Sequence, residues 1–165
     1  MNGRVYWLTG LSGAGKTTIG RLWYEELRRS GVPAVFLDGD ELRQVFGDDL
    51  GFTEADRRKS AMRNARLCAL LARQGLTAVC CTISMFDSVR EWNRLHIPGY
   101  FEVYVKVTMD TLRRRDQKGL YSGGTEVAGV HFSVEEPKQP DLILENDGQI
   151  TPAEQVQRLC AAAMN

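Results

Sequence analysis

The eight residues Gly10-Leu11-Ser12-Gly13-Ala14-Gly15-Lys16-Thr17 constrain this chain more than any other stretch. They fit the spacing GxxxxGK[ST], follow a short apolar run and open a helical pattern, which is the context a phosphate-binding loop needs. Glycines let the backbone turn and bring its N–H groups against phosphate oxygens, and the helix behind them adds the positive end of its dipole. On this reading Gly10, Ser12, Gly13, Ala14, Gly15, Lys16, Thr17 and Thr18 hold ATP. Lys16 reaches the β- and γ-phosphates and neutralises charge that develops during transfer, and Thr17 binds Mg²⁺ through its hydroxyl. No NKxD-like guanine reader occurs in the sequence, so ATP is expected rather than GTP.

Such a loop joins a strand to a helix, and the rest of the chain repeats that alternation. Apolar runs at residues 5–9, 34–37, 77–84, 101–107 and 141–144 read as strands, and residues 16–29 and 55–73 as helices. Ser30-Gly31 with Pro33 ends the first helix and Gln74-Gly75 the second. Smaller helices are expected after Asp40, Asp87 and Thr108, and Thr151-Pro152-Ala153-Glu154 supplies an N-cap, an N1 proline and an early acid for the last. This pattern predicts an α/β fold, a P-loop NTPase with a parallel five-stranded sheet covered on both faces. At 165 residues, 43% hydrophobic and 25% charged, residues 1–165 are expected to form one domain. Residues 117–140 fit neither period and carry Gly119, Gly123, Gly124 and Gly129, so they read as a short lid.

The second strand delivers Leu37-Asp38-Gly39-Asp40, two carboxylates at the strand edge where open α/β sheets bind ligands. One can accept the proton of an attacking hydroxyl while the other organises a metal or its water. Asp40 is the base candidate. Asp38 is assigned to the metal site together with Thr17, with turn capping as its alternative role. A basic and aromatic set follows, Arg43, Phe52 and Arg57. Forked guanidinium donors suit an anionic group, and Phe52 can stack on a flat ring. Arg58 and Lys59 read as a solvated helix face.

Composition narrows the partner. Lys plus Arg and Asp plus Glu balance at 21 each, so no global charge draws the chain to nucleic acid or to an anionic membrane. A small-molecule acceptor is expected, with no nucleic-acid or membrane partner. The N-terminus lacks the pattern of a signal peptide and no apolar run approaches about 20 residues. Cys68, Cys80, Cys81 and Cys160 form no CxxC pair and read as buried thiols of a cytoplasmic protein.

Taken in order, WLTGLSGAGKTT, LDGD with Arg43, LGFT with Asp56-Arg57, TIS at residues 82–84, FEVYV at residues 101–105 and RDQKGLY at residues 115–121 resemble the adenylylsulfate (APS) kinases. The resemblance implies a nucleotide-kinase-like homodimer that uses ATP and Mg²⁺ to phosphorylate the ribose 3′-hydroxyl of adenosine 5′-phosphosulfate. It implies that Arg43 and Arg57 hold the phosphate-sulfate end, that Phe52 stacks on the base, and that Ile83 and Ser84 line the acceptor pocket. Lys118, Gly119 and Leu120 would belong to the closing lid, and Arg115 would assist at the ATP site. The family serine matching Ser84 has been described as a phosphoserine intermediate, but in-line transfer to a positioned hydroxyl needs no such step.

Departures from the family gather on the acceptor side. An Asn-Ile-Arg-Arg run becomes Ser60-Ala61-Met62-Arg63, Ile-Ser-Pro-Tyr-Arg becomes Ile83-Ser84-Met85-Phe86-Asp87, and Phe-Thr-Gly in the lid becomes Val127-Ala128-Gly129. That lid phenylalanine is the second half of an aromatic sandwich, and stacking contributes about 1–3 kcal/mol per base. Its loss should weaken adenine selection unless Phe86 or Phe132 substitutes. The Thr-Ile-Ser-Met-Phe variant also resembles family members found with capsule-polysaccharide genes, which act on cytidine diphosphoramidate. Other readings are a small-metabolite kinase, for shikimate or gluconate, and a nucleotide-binding protein without turnover.

Overall fold

A computed structural model of the chain describes residues 1–116 and 134–165. Its elements, in chain order, are β1 (Val5–Thr9), α1 (Lys16–Arg29), β2 (Ala34–Asp38), α2 (Gly39–Val45), α3 (Glu54–Arg73), β3 (Thr77–Thr82), α4 (Asp87–His96), β4 (Tyr100–Lys106), α5 (Met109–Arg114), β5 (Leu142–Glu145) and α6 (Pro152–Ala163).

The strands form one parallel sheet in the order β2-β3-β1-β4-β5. β1 is central and buried along its whole length, so its side chains must satisfy two apolar faces. Val5 and Trp7 point to one face, with Ala65, Cys68, Ala69 and Ala72 of α3 and Val89 of α4. Tyr6 and Leu8 point to the other, with Ile19, Trp23 and Leu27 of α1 and Leu159 of α6. Alanines on the inner face of α3 let that helix approach the sheet closely, which explains its small-residue stripe. The chain leaves β1 toward one edge and, after β3, turns toward the other, opening a crevice at the carboxyl ends of the strands.

Register decides what meets there. Thr9 pairs with Thr82 and Asp38 with Cys81, so β1, β2 and β3 end at one level and their loops share one rim. Two expected boundaries change. The third strand stops at Thr82, because Thr9 Oγ1 donates to the Ile83 carbonyl and Ser84 turns the chain with φ 31°. The second strand instead extends to Asp38, and α2 begins at Gly39 rather than after Asp40 because the Asp38 carboxylate caps it by accepting from the Asp40 N–H at 2.9 Å.

Lys118, Gly119, Leu120 and the greater part of the expected lid lie outside the described residues. Its final part is docked: Glu135 N–H donates to the Met85 carbonyl (3.1 Å), the Glu135 carboxylate accepts from the Asp87 N–H (2.5 Å), and Lys138 pairs with Asp87 at 2.9 Å. Among the described residues no helix is long and apolar enough to cross a membrane.

Leu8, fully buried at the centre of the sheet, should be among the costliest truncations in the fold. Leu8→Ala is expected to lower unfolding free energy by about 2–5 kcal/mol, read as an earlier midpoint in urea denaturation with an unchanged slope.

Candidate active site

The loop after β1 is shaped by what surrounds each glycine. A Cβ on Gly10 would lie 2.4 Å from the Val105 carbonyl, so the backbone there can pass only without a side chain. Gly13 and Gly15 adopt left-handed φ of 86° and 99°, and a Cβ on Gly15 would strike Asn146 Nδ2 at 2.4 Å. That asparagine donates to the Ala14 carbonyl at 2.8 Å and fixes the loop from the end of β5.

Helix capping separates α1 from most of its neighbours. Helices α2, α3, α5 and α6 have side-chain caps from Asp38, Thr53, Thr108 and Thr151, the last in a full capping box. Helix α1 has Gly15 at its N-cap position, hence no side-chain cap, and no acid in its first turn. Its first N–H groups are therefore left for an anion held by the loop. Lys16, 8% exposed, folds back so that Nζ donates to the Leu11 carbonyl at 2.8 Å. Cys81, its thiol pushed up to about 12 by burial, donates to the Lys16 carbonyl at 3.3 Å and seats the start of the helix on β3.

A hydrogen bond ties this loop to the carboxyl end of β2. Thr17 Oγ1 donates to Asp38 Oδ2 at 2.9 Å, while Asp38 Oδ1 caps α2. Asp38 thus caps α2 with one oxygen and meets Thr17 with the other. Asp40 stands in the first turn of α2, exposed on the cleft. Arg43 Nη1 donates to the Leu50 and Gly51 carbonyls at 3.2 and 2.9 Å, and its guanidinium sits 4.4 Å from the Phe52 ring centroid. Arg57 lies 5.5 Å from the same ring and donates through Nε to the Phe52 carbonyl at 2.8 Å. Phe52 remains 59% exposed yet is fixed by both arginines, each such contact contributing about 0.5–1 kcal/mol.

These groups border a single cleft of ≈ 1040 Å³. Ser12, Gly13, Gly15, Lys16, Thr17, Thr18 and Arg115 form one wing, and Asp38, Asp40, Arg43, Phe52, Arg57, Ile83 and Ser84 form the other. Gly10 and Ala14 do not line it; the first is a backbone crossing and the second is fully buried beneath the loop. Ser84 is buried, and its Oγ shares a 2.6 Å hydrogen bond with Thr82 Oγ1.

Other expectations need correction. Arg58 is not simply solvated: it donates to Ser88 Oγ at 2.9 Å and lies 4.5 Å over the Phe86 ring, which is only 7% exposed. Phe86 therefore lines the cleft without offering an open stacking face. Cys160 is only half-buried, unlike the other three cysteines. Asn146, Gly148, Ile150, Thr151 and Pro152 also border the ATP wing, with Arg115 Nη2 donating to the Asn146 carbonyl at 2.6 Å. Sequence reading missed them; their one signal was their position past the carboxyl end of the last strand.

A parallel sheet of this order, with GxxxxGKT opening an uncapped helix beside a carboxylate from β2, defines a P-loop kinase fold of the nucleotide-kinase type. The chain belongs to the adenylylsulphate kinase family, an ATP-dependent phosphotransferase family, whose sequence model matches residues 2–145. It is 39% identical over 150 residues to the adenylyl-sulfate kinase of Deinococcus deserti, covering 88% of this chain and 83% of that one. It is 37% identical over 150 residues to the cytidine diphosphoramidate kinase of Campylobacter jejuni, covering 88% and 87%. Among solved structures, the Mycobacterium tuberculosis APS kinase CysC in complex with AMPPNP and APS superposes with a TM-score of 0.91 at 33% identity, covering 99% of each chain.

Gly15→Ala should drive a methyl group into Asn146 and force a left-handed residue into strain. Calorimetric titration should find ATP binding weakened at least about tenfold, while far-ultraviolet dichroism stays native. Burial and the raised Cys80 and Cys81 thiols predict that an aromatic disulfide reagent at neutral pH labels Cys160 promptly and the other three only after unfolding.

Proposed function

We propose that the protein transfers the γ-phosphoryl group of ATP to the ribose 3′-hydroxyl of a nucleotide activated at its 5′ phosphate, and that it does so as a homodimer. The observation that carries this reading is the Arg43-Phe52-Arg57 stack, a flat apolar face between two cations, in the same cleft as the phosphate loop. A small polyol or a cyclic acid has no use for that face; a nucleotide uses both ring and charge.

In the proposed mechanism the α1 N-terminus and loop N–H groups hold the ATP phosphates, and Lys16 turns from the Leu11 carbonyl to the transferring phosphoryl oxygens. Thr17 and Asp38 would hold Mg²⁺. A hydroxyl and a carboxylate oxygen 2.9 Å apart fit an ion that takes few protein ligands and fills its shell with water and phosphate. The ion supplies neutralisation of the charge shared by the β- and γ-phosphates. Asp40 takes the proton of the attacking 3′-hydroxyl, Arg43 and Arg57 position the acceptor's anionic end, and Phe52 stacks on its base. Ile83 and Ser84 line the pocket, and Arg115 assists on the ATP side.

Adenylylsulfate is the acceptor that family membership supports. A second reading, cytidine diphosphoramidate, is favoured by Phe52 being the one open aromatic face among the described lining residues: Phe86 is covered by Arg58, and a pyrimidine asks less of a sandwich. A coupled assay offering ATP-Mg²⁺ with adenylylsulfate, cytidine diphosphoramidate, CDP or shikimate should give turnover with one or both activated nucleotides. The KM for cytidine diphosphoramidate should be the lower. Turnover with shikimate alone would refute the nucleotide reading. Asp40→Asn should lower kcat about 10²- to 10⁴-fold and leave ATP affinity nearly unchanged; near-normal turnover would exclude Asp40 as the base.

A further inference from the structure

Along α3 one face enters the cleft, carrying Arg57, Ser60, Ala61 and Asn64 at positions i, i+3, i+4 and i+7. Burial rises along it, from half-buried Arg57 and Ser60 to buried Ala61 and Asn64, about 10 Å further along the helix axis than Arg57. Asn64 is 2% exposed, and its amide oxygen has no partner among the described residues. By contrast the Thr82 and Ser84 hydroxyls on this wall satisfy one another. An acceptor oxygen sealed from water and left unpaired destabilises the fold, and an apolar side chain of the same size would remove that loss. It lines the acceptor wing, so the partner it lacks is one that a bound acceptor can bring.

The part of the acceptor that reaches Asn64 follows from the layout. Phe52, the exposed stacking face, marks the mouth, and Asn64, like Met85 and Phe86, is a buried lining residue. With the base on Phe52 and the phosphate nearest it held by Arg43 and Arg57, the terminal group of the activated tail extends past them toward the buried end. A sulfate tail offers only acceptor oxygens, whereas a phosphoramidate tail carries an N–H donor. We propose that Asn64 is a specificity-determining residue whose amide oxygen accepts a hydrogen bond from an amine at the tail of the acceptor nucleotide. This rests on the nucleotide-kinase reading above.

The test compares wild type and Asn64→Leu with three acceptors: cytidine diphosphoramidate, CDP, whose tail has oxygen in place of the amine, and adenylylsulfate. Wild type should prefer the amine-bearing tail over CDP by at least about tenfold in kcat/KM, since a site built for one donor rejects the analogue lacking it. Asn64→Leu should erase that preference through the KM of the phosphoramidate, leave the KM for ATP within about twofold, leave adenylylsulfate turnover no lower, and keep or raise Tm. Equal losses with every acceptor, or an equal change in the KM for ATP, would mark Asn64 as a packing residue. Wild-type indifference between cytidine diphosphoramidate and CDP would overturn the proposal without any variant. Wild-type turnover with adenylylsulfate but not the phosphoramidate overturns this inference alone, whereas turnover with no nucleotide overturns the nucleotide-kinase reading as well.

Discussion

A hydrogen bond from Thr17 on the first turn of α1 to Asp38 at the end of β2 ties the phosphate loop to the acidic turn across the cleft. Much of the architecture serves to bring those residues within 2.9 Å. The parallel sheet sets β1, β3 and β2 side by side with matching ends, so the phosphate loop and the acidic turn share a rim although 21 residues separate Thr17 from Asp38. Asp38 is held from the other side by the helix it caps, so its carboxylate is oriented before any ligand arrives. A mobile carboxylate would have to pay ordering entropy on binding; this one is already placed.

Around the cleft the chain forgoes local stability at several points. Helix α1 forgoes the side-chain cap that four other helices possess. Gly13 and Gly15 occupy left-handed backbone, and Ser84, which is not a glycine, does so at the carboxyl end of β3. Asn64 has a buried oxygen without a partner among the described residues. All four features border one cleft, whereas the sheet behind them is closely packed on both faces, with Val5, Trp7 and Leu8 fully buried. A rigid sheet carrying strained edges is the arrangement expected when a fold must position groups more accurately than loops alone allow.

The phosphate loop, α1 over residues 16–29, the strand-helix alternation and the Asp38-Asp40 pair were legible in the sequence because each is a local pattern with a fixed spacing. What was not legible depends on contacts between distant residues. The run 77–84 reads as one apolar strand until the Thr9 hydroxyl takes the Ile83 carbonyl, a bond across 74 residues. Asn146 braces the phosphate loop across 132 residues, and no motif near it announces that role. Arg58 looked like an exposed helix charge because its partners, Phe86 and Ser88, arrive from another element.

The central claim is that this cleft aligns the γ-phosphate of ATP with a ribose 3′-hydroxyl of a second nucleotide. Phosphorus NMR of the product formed from ATP-Mg²⁺ and whichever activated nucleotide supports turnover tests it most directly. The account predicts a new monoester resonance whose proton-coupled splitting and correlation place the phosphorus on the ribose 3′ carbon. A new phosphate on the 2′ oxygen, on the 5′ tail or on the protein as the end product would contradict it.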